Sequence, residues 1–210
     1  MKQNYQIILE REIKKITDAK RRPRLLMHAC CAPCSSYVME YLASVFDMTM
    51  YFYNPNISPE SELIFRGSEL ERLIHEMPLS GHVELIRAEY EHERFIEIAR
   101  GMEQLPEGGE RCFKCYELRL RKTAEYAKEN GFEYFSTTLS ISPHKNSQKL
   151  NEIGSELSEE YGIPYLFSDF KKRGGYKRSC ELSAEYNLYR QNYCGCIYSK
   201  AQSIKSLSVN

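Results

Sequence analysis

The fold of this chain is decided by the stretch RLLMHACCAPC, residues 24–34. Its first six residues form a short, largely apolar run, which predicts a buried parallel strand because such strands are covered on both faces. Two cysteines follow the run. Pro33 stands at the first turn of a helix predicted over residues 35–45, where a missing N–H costs nothing. The stretch therefore predicts a strand, a turn that carries thiols, and a helix.

The rest of the chain repeats this alternation of strands and helices. Further strands are predicted at residues 48–53, 83–88, 132–139 and 164–167, and helices at 58–75, 91–100, 115–130, 148–161 and 175–188. The pattern implies right-handed crossovers and a doubly wound, mostly parallel five-stranded α/β sheet with helices on both faces. Ligands bind outside the carboxyl ends of the strands in such folds. Cys30 and Cys31 follow the first strand, so a site is expected at that edge.

The length and the hydropathy of the chain limit the classes of protein to which it can belong. The 210 residues suit one domain, expected at residues 23–199, with a helical extension at 1–22 and a tail at 200–210. No apolar run approaches the roughly 18 residues that span a bilayer, and the N-terminus lacks the apolar core of a signal peptide. We therefore expect a cytoplasmic protein without a membrane partner.

The charge of the chain is unevenly distributed. The net charge is zero, but residues 11–24 hold seven Lys/Arg against two acids, and residues 171–178 hold five basic residues and no acid. Such faces bind phosphates or are ordinary solvated surfaces.

Seven of the eight cysteines fall into three tight groups, and these groups carry the chemistry. They are Cys30, Cys31 and Cys34; Cys112 and Cys115; and Cys194 and Cys196. Thiols stay reduced in the cytosol, and thiolates there select iron–sulfur, zinc or copper(I). Seven thiols are too many for one tetrahedral ion, so we expect more than one metal centre, or a cluster with a further function beside it.

Other interpretations of these cysteines are small buried side chains, a redox disulfide at residues 112–115, and structural zinc. Zinc sites usually present four ligands in two regular hooks, whereas here the thiols are split three, two and two. An iron–sulfur cluster takes four thiolates and leaves three for a second metal or for redox work, so the pattern favours iron–sulfur over zinc. Cys180 is isolated on a predicted helix and is interpreted as a packing residue.

Two of the five histidines lie near the predicted site. His28 immediately precedes the first cysteine group and is interpreted as a core residue, with a role behind a metal ligand as the alternative. His144 follows the fourth strand in the motif SPHK, at the same sheet edge, and is a candidate site residue. The other three histidines are expected at the surface.

Together these motifs resemble the QueH-type epoxyqueuosine reductases. The motifs are HACCAPC at 28–34, YNPNI at 53–57, RCFKCYELRL at 111–120, TTL at 137–139, SPHK at 142–145, DFKK at 169–172 and YRQNYCGC at 189–196. The resemblance covers residues 23–199. It implies a sheet similar to that of adenine-nucleotide α-hydrolase-like proteins (PP-loop/HUP folds). ATP use is not expected, because CCAPCS stands where a PP-loop enzyme has its pyrophosphate loop.

The resemblance also implies an activity and its cofactors. The activity is reduction of epoxyqueuosine to queuosine at the wobble position of tRNA, the last step of queuosine biosynthesis, by a cobalamin-independent oxidoreductase. The implied cofactors are a 4Fe–4S cluster and a nearby mononuclear metal, expected to be iron. Site residues are assigned on this basis: Cys30, Cys31, Cys112 and Cys115 to the cluster, Cys34, Cys194 and Cys196 to the second metal, and His144 or Asp169 to proton delivery.

A tRNA substrate accounts for the basic run near the C-terminal cysteines. The predicted tRNA-binding residues, which would contact phosphates, are Lys171, Lys172, Arg173, Lys177 and Arg178. An anticodon base is expected to stack on aromatic rings, with Tyr51, Tyr53, Tyr116, Tyr176 and Tyr193 as candidates. An electron donor is required but is not identified by the sequence, and no DNA partner is expected. The rival functions are a cluster-dependent tRNA thiolation enzyme, whose ATP-activating loop is not found, and a zinc-stabilised RNA-binding module without catalysis.

Overall fold

The centre of the fold is a parallel sheet. The computed structural model describes residues 3–207, and the side chains of residues 3–203. The strands are β1 (Arg24–His28), β2 (Asp47–Phe52), β3 (Val83–Arg87) and β4 (Tyr134–Thr137). Their order is β3-β2-β1-β4, and every pair is parallel. The chain moves outward from β1 to β3 and then returns to the far side of β1, so its direction across the sheet switches between β1 and β4. Open α/β sheets bind ligands at such a switch.

Helices connect the strands and extend beyond them. They are α1 (Tyr5–Asp18), α2 (Ala32–Leu42), α3 (Glu60–Glu76), α4 (His92–Ala99), α5 (Glu110–Glu129), α6 (Ser147–Tyr161), α7 (Gly175–Glu185) and α8 (Ile197–Leu207). Pro33 lies in the first turn of α2, as predicted. Helix α5 begins at Glu110 rather than at residue 115, which places both Cys112 and Cys115 in its first turns.

Alternate residues of β1 are buried in two different cores. Leu25 and Met27 pack with residues of α1, α2, α3 and α7, whereas Leu26 packs with residues of α5 and α6. All three side chains are fully buried, and each contributes roughly 1.5–3 kcal/mol through that burial. Helices therefore cover both faces of the sheet, which confirms the doubly wound α/β class.

The predicted fifth strand at residues 164–167 is wrong, because the described part of the chain contains a four-stranded sheet. That segment makes a single parallel bridge, between Phe135 and Tyr165. Side chains bind the backbone groups that a longer ladder with β4 would use. Ser136 Oγ donates to the carbonyl of Leu166 at 2.8 Å, and Asn151 Oδ1 accepts from the Ser168 amide at 3.0 Å. Main-chain groups satisfied in this way need no strand partner.

Both ends of the described chain are helical. Leu9 and Ile16 of α1 are buried in the core, and Tyr134 Oη of β4 donates to Glu12 Oε1 at 2.7 Å. Helix α8 continues across residue 200, where the predicted tail begins. Residues 1–2 and 208–210 of the predicted extension and tail lie outside the described residues. Among the described helices, none combines the length and apolar character needed to cross a bilayer.

The packing of α1 predicts that it stabilises the domain. Leu9→Ala, at a fully buried position, should lower the free energy of unfolding by about 2–5 kcal/mol. Ile7→Ala is the matched control on the same helix, because Ile7 is 39% exposed, and it should change stability by about 0.5 kcal/mol or less. Denaturant unfolding monitored by circular dichroism measures both. Equal effects of the two substitutions would show that α1 is not part of the core.

Candidate metal centre

A cleft opens at the carboxyl edge of the sheet, at the switch between β1 and β4. Cys30 follows β1 directly, and a short 3-10 helix (Thr138–Ile141) follows β4 because Thr137 Oγ1 accepts from the Leu139 amide at 3.1 Å. The segment after α7 closes the opposite side. The cleft has a volume of about 290 Å³. It is therefore large enough for one small organic group but too small for a nucleic-acid helix.

The first group of thiols lines this cleft. The Sγ atoms of Cys30, Cys31 and Cys34 all lie within 4.8 Å of one another, and those of Cys30 and Cys31 are 3.7 Å apart. Cys31 is the N-cap of α2, so these thiols surround a helix N-terminus, which favours the thiolate form. We call these three the cleft thiols.

The other two groups of thiols come together behind the cleft. Cys112 and Cys115 at the start of α5 share a small void with Cys194 and Cys196, and the last two have their Sγ atoms 3.6 Å apart. Cys194 also lines the cleft, so it connects the two sets. We call these four the inner thiols. All the cysteines are free thiols.

Gly195 lets Cys194 and Cys196 reach this position. Its φ of +113° suits glycine, and a Cβ there would lie 2.8 Å from Ile57 Cγ1 and 3.1 Å from Arg66 Nη1. Its carbonyl accepts from the Ser58 amide at 3.0 Å. This contact holds the C-terminal segment against the loop that follows β2.

Four cationic side chains are buried around the thiols. Three are arginines with 1–4% exposure, and the fourth is a lysine whose side chain is 9% exposed; they are Arg66, Arg111, Arg119 and Lys145. Buried charges are strongly unfavourable unless they are paired. Their partners therefore indicate what this region is built to hold.

Carboxylates pair with only two of these cations in the described part of the chain. Glu62 lies 2.8 Å from Arg66 Nε, and Glu107 lies 3.0 Å from Lys145 Nζ. Arg111 donates to the carbonyls of residues 102, 103 and 105. Nη2 of Arg66 and Nη2 of Arg111 have no hydrogen-bond partner. The region thus carries surplus positive charge, which suits an anionic occupant.

Arg119 is part of a polar network beneath the cleft. Its guanidinium donates to Cys115 O at 3.3 Å and to Asn54 Oδ1 at 3.4 Å, and the Asn54 amide donates to Ala29 O at 2.8 Å. This network connects the thiol-bearing start of α5 to the loops after β1 and β2. The cysteines of different segments are thereby held in fixed relative positions.

His28 belongs to the core, as interpreted from the sequence. It is fully buried. Its Nε2 donates to Tyr53 O at 3.0 Å, and its Nδ1 accepts from Thr137 Oγ1 at 2.9 Å. Burial, together with the charge of Arg119, lowers the pKa of His28 to about 3. The neutral imidazole therefore ties together the ends of β1, β2 and β4 rather than acting as a metal ligand or an acid.

One cleft thiol and one inner thiol have a lowered pKa. Hydrogen bonds from Cys30 and Cys34 hold the pKa of Cys31 well below its usual value. Hydrogen bonding to Cys196, together with the Lys145 ammonium, does the same for the pKa of Cys194. Burial raises the pKa of Cys115. Thiolates are the metal-binding form, so Cys31 and Cys194 are favoured as metal ligands.

The predicted proton donors lie in different surroundings. His144 is exposed and lines the cleft. Asp169 is buried, with its carboxylate 3.0 Å from Lys171 Nζ, and it is not among the described residues that line the cleft. Of the two, only His144 faces the space a substrate would occupy.

The tyrosine rings that were predicted to stack on an anticodon base also differ in whether they reach the cleft. Tyr176 and Tyr193 line the cleft, whereas Tyr51, Tyr53 and Tyr116 are at most 2% exposed. The prediction is therefore wrong for these last three, which are core residues. Their hydrophobic contacts within the second core explain the burial.

Most of the predicted tRNA-binding cations are already paired with carboxylates of the chain. Lys171 pairs with Asp169, Arg173 with Glu10, Lys177 with Glu181, and Arg178 with Glu40. Lys172 is exposed and has no carboxylate partner among the described residues. The run thus forms a surface of ion pairs beside the cleft.

Sequence reasoning assigned no role to four polar residues around the thiols: Arg66, Arg119, Lys145 and Gln191. The sequence could have indicated that Arg119 lies near the thiols, because positions 112, 115 and 119 share one face of a helix. Gln191 lines the cleft with its Oε1 buried and unpartnered. Neither Gln191 nor Arg66 carries a local signal, since each reaches the site through contacts distant in sequence.

Comparison with known proteins agrees with this geometry. A profile of the family described as epoxyqueuosine reductase QueH matches residues 25–202. Proteins named epoxyqueuosine reductase QueH are similar to this chain along most of its length. That of Streptococcus pyogenes serotype M1 is 44% identical over 209 residues, covering 98% of this chain and 82% of the relative. That of Staphylococcus epidermidis is 42% identical, covering 93% and 84%. That of Thermotoga maritima is 36% identical, covering 83% and 89%.

The fold, the thiol-rich cleft and these similarities define an enzyme of the oxidoreductase class. The chain belongs to the epoxyqueuosine reductase QueH family.

The conformation of Gly195 predicts that it is needed for metal binding. Gly195→Ala should displace Cys194 and Cys196 and reduce the bound metal per chain, measured by plasma emission spectrometry on protein purified without oxygen. Gly101→Ala is the matched control, because Gly101 also has a positive φ, of +79°, but a Cβ there would meet nothing within 4 Å and the Gly101 amide donates to a carboxylate rather than to a thiol. Equal metal contents in the two variants would contradict the role given to Gly195.

Proposed function

We propose that this enzyme reduces epoxyqueuosine to queuosine at the wobble position of tRNA, using an iron–sulfur cluster and an adjacent metal ion held by its seven grouped thiols. The observation that carries the proposal is the gathering of these thiols and four buried cations around one cleft at the sheet's switch point. The family to which the chain belongs supplies the substrate. We further propose that the enzyme works in the cytoplasm, where these thiols remain reduced.

The chemistry of the donors fits such a group. A cluster ligated by thiolates is anionic, and the surplus of buried positive charge would stabilise it. The unpartnered Nη2 atoms of Arg66 and Arg111 are also able to donate to it. A structural zinc site would need only four of the seven thiols. The number of grouped thiols, rather than the charge around them, thus supports a cluster with a second metal over a single zinc site.

The grouping of the thiols supports a division of labour between them. Four inner thiols equal the number that a 4Fe–4S cluster takes. The three cleft thiols would hold the second metal ion where a substrate in the cleft could reach it, as in catalytic metal sites. We propose this partition. The partition predicted from the sequence combines Cys30 and Cys31 with Cys112 and Cys115, and so divides both groups; the experiment below distinguishes the two.

The reaction removes one oxygen of the substrate as water and consumes two electrons and two protons. When bound, the cluster and the metal would supply single electrons and a Lewis acid. The protein residues bind the substrate, orient it and deliver protons. His144, which lines the cleft, is the proposed proton donor; Asp169, the other candidate predicted from the sequence, pairs with Lys171 and is not among the described residues that line the cleft. Gln191 Oε1, buried without a partner, would accept a hydrogen bond from the substrate.

The size of the cleft supports a substrate in which one modified base enters and the rest of the tRNA stays outside. Phosphates of that tRNA would contact the basic surface formed by Lys171, Lys172, Arg173, Lys177 and Arg178. Such contacts provide affinity that decreases with salt and carry no sequence preference. Tyr176 and Tyr193 would offer ring faces to the base inside the cleft.

Single cysteine substitutions should separate the two metal sites. Cys112→Ser should abolish the visible absorption and the acid-labile sulfide of the cluster. Cys31→Ser should keep both but lose the second metal. Cys180→Ser is the matched control, because Cys180 lies on α7, apart from both groups, and should keep all metal. Loss of the cluster in Cys31→Ser as well would favour the partition predicted from the sequence, and full iron content in Cys112→Ser would contradict both.

The activity itself is tested by mass spectrometry of tRNA nucleosides. A strain that lacks the gene should accumulate epoxyqueuosine, and the wild-type gene or its Cys180→Ser variant should restore queuosine. The Cys31→Ser and Cys112→Ser genes should not restore it. Normal queuosine levels in the deleted strain would contradict the proposed function if no second reductase is present. Accumulation of an unthiolated nucleoside would instead point to the thiolation enzyme.

A further inference from the structure

Exposed aromatic rings and one arginine form a strip along the rim of the cleft. Phe65 and Tyr189 are 46% and 38% exposed, and their rings meet edge to face with centroids 5.0 Å apart. Arg190 follows Tyr189, and its guanidinium lies 6.0 Å from the ring centroid of Tyr176, itself 37% exposed. We call these four residues the rim strip.

The rim strip is continuous with the cleft. Arg190 and Tyr176 line the cleft directly. Phe65 precedes Arg66, which lines the cleft and contacts the ring of Tyr193 at 5.2 Å. Arg190 and Tyr176 thus belong to both the cleft and the strip. A ligand in the cleft that extends past Arg190 comes beside Tyr189, its neighbour in the chain, and the ring of Phe65 that packs against Tyr189.

The charge of the strip favours an anionic ligand. The carboxylates nearby are already neutralised, since Glu62 pairs with Arg66 at 2.8 Å and Glu69 with Arg72 at 3.1 Å. Arg190 donates to Ser183 Oγ at 2.9 Å and pairs with no carboxylate in the part of the chain that is described. By contrast, most cations of the run at 171–178 are paired with the chain's own acids.

Exposed rings interleaved with an unpaired arginine are the features that bind single-stranded nucleic acid. Bases stack on the rings regardless of sequence, and the cation attracts the backbone. Base-paired nucleotides present no free faces and cannot bind in this way.

We propose that the rim strip binds the unpaired nucleotides that flank the modified nucleotide in the tRNA loop. This inference rests on the proposed function, because it takes the occupant of the cleft to be one nucleotide of an RNA. Phe65 and Tyr189 thereby recognise a single-stranded loop and take no part in the chemistry in the cleft.

The test compares two double variants of the metal-loaded enzyme. Phe65→Ala with Tyr189→Ala removes both rings, whereas Phe65→Tyr with Tyr189→Phe exchanges them and keeps their faces. Binding is measured by fluorescence anisotropy to an RNA hairpin with an anticodon-type loop and to a blunt duplex of the same stem. The alanine pair should weaken hairpin binding by about tenfold or more and leave duplex binding unchanged, while the exchanged pair should bind like wild type. For turnover, the alanine pair should raise KM for tRNA and largely retain kcat.

Several results would overturn the inference. If wild type binds the hairpin and the alanine pair binds it equally well, the strip is not the contact, and the proposed function still stands. If wild type binds the hairpin no better than the duplex, the single-stranded contact is contradicted, while the tRNA substrate is decided separately by the nucleosides of the deleted strain. If hairpin binding is unchanged but turnover slows with a protein electron donor and not with dithionite, the strip belongs to that donor.

Discussion

Surplus positive charge buried beside free thiols is the constraint on which the rest of the structure depends. Arg111 and Arg119 have no carboxylate partner among the described residues, and each is at most 4% exposed. Burial of unpaired charge costs several kcal/mol per ion. Thiolates are the anions available to offset this cost, and bound metal stabilises thiolates. Under the proposed function, the fold and the metal would stabilise each other: the protein supplies cations that favour an anionic cluster, and the cluster would satisfy those cations.

The sheet provides the geometry that this arrangement requires. Neutral His28 joins the ends of three strands, and Arg119 and Asn54 connect those ends to α5. Gly195 then brings the last two cysteines back to the same place. Cys112, Cys115 and Cys196 are buried, whereas the cleft thiols and Cys194 line the opening. Electron storage and substrate binding can thus occupy adjacent spaces, with Cys194 between them.

The local patterns of the sequence predicted much of this arrangement, and long-range contacts account for what they missed. The apolar run at 24–29 and the thiols after it were sufficient to place β1, α2 and the site, because each depends on neighbouring residues. The prediction of a fifth strand was wrong because the side chains of Ser136 and Asn151 bind the backbone groups that would extend its pairing with β4. The sequence could not show that Cys112 and Cys115 lie with Cys194 and Cys196, because that grouping depends on how the last segment folds back. The burial of Arg66 could not be predicted either, because it depends on the same C-terminal segment.

The central claim is that the seven thiols hold an iron–sulfur cluster together with a second metal ion. Mössbauer spectroscopy of the wild-type protein, grown on isotopically enriched iron and purified without oxygen, tests it most directly. The account predicts two iron populations, one from a four-iron cluster and one from a single iron in different surroundings. Active protein that contains zinc as its only metal would contradict the account.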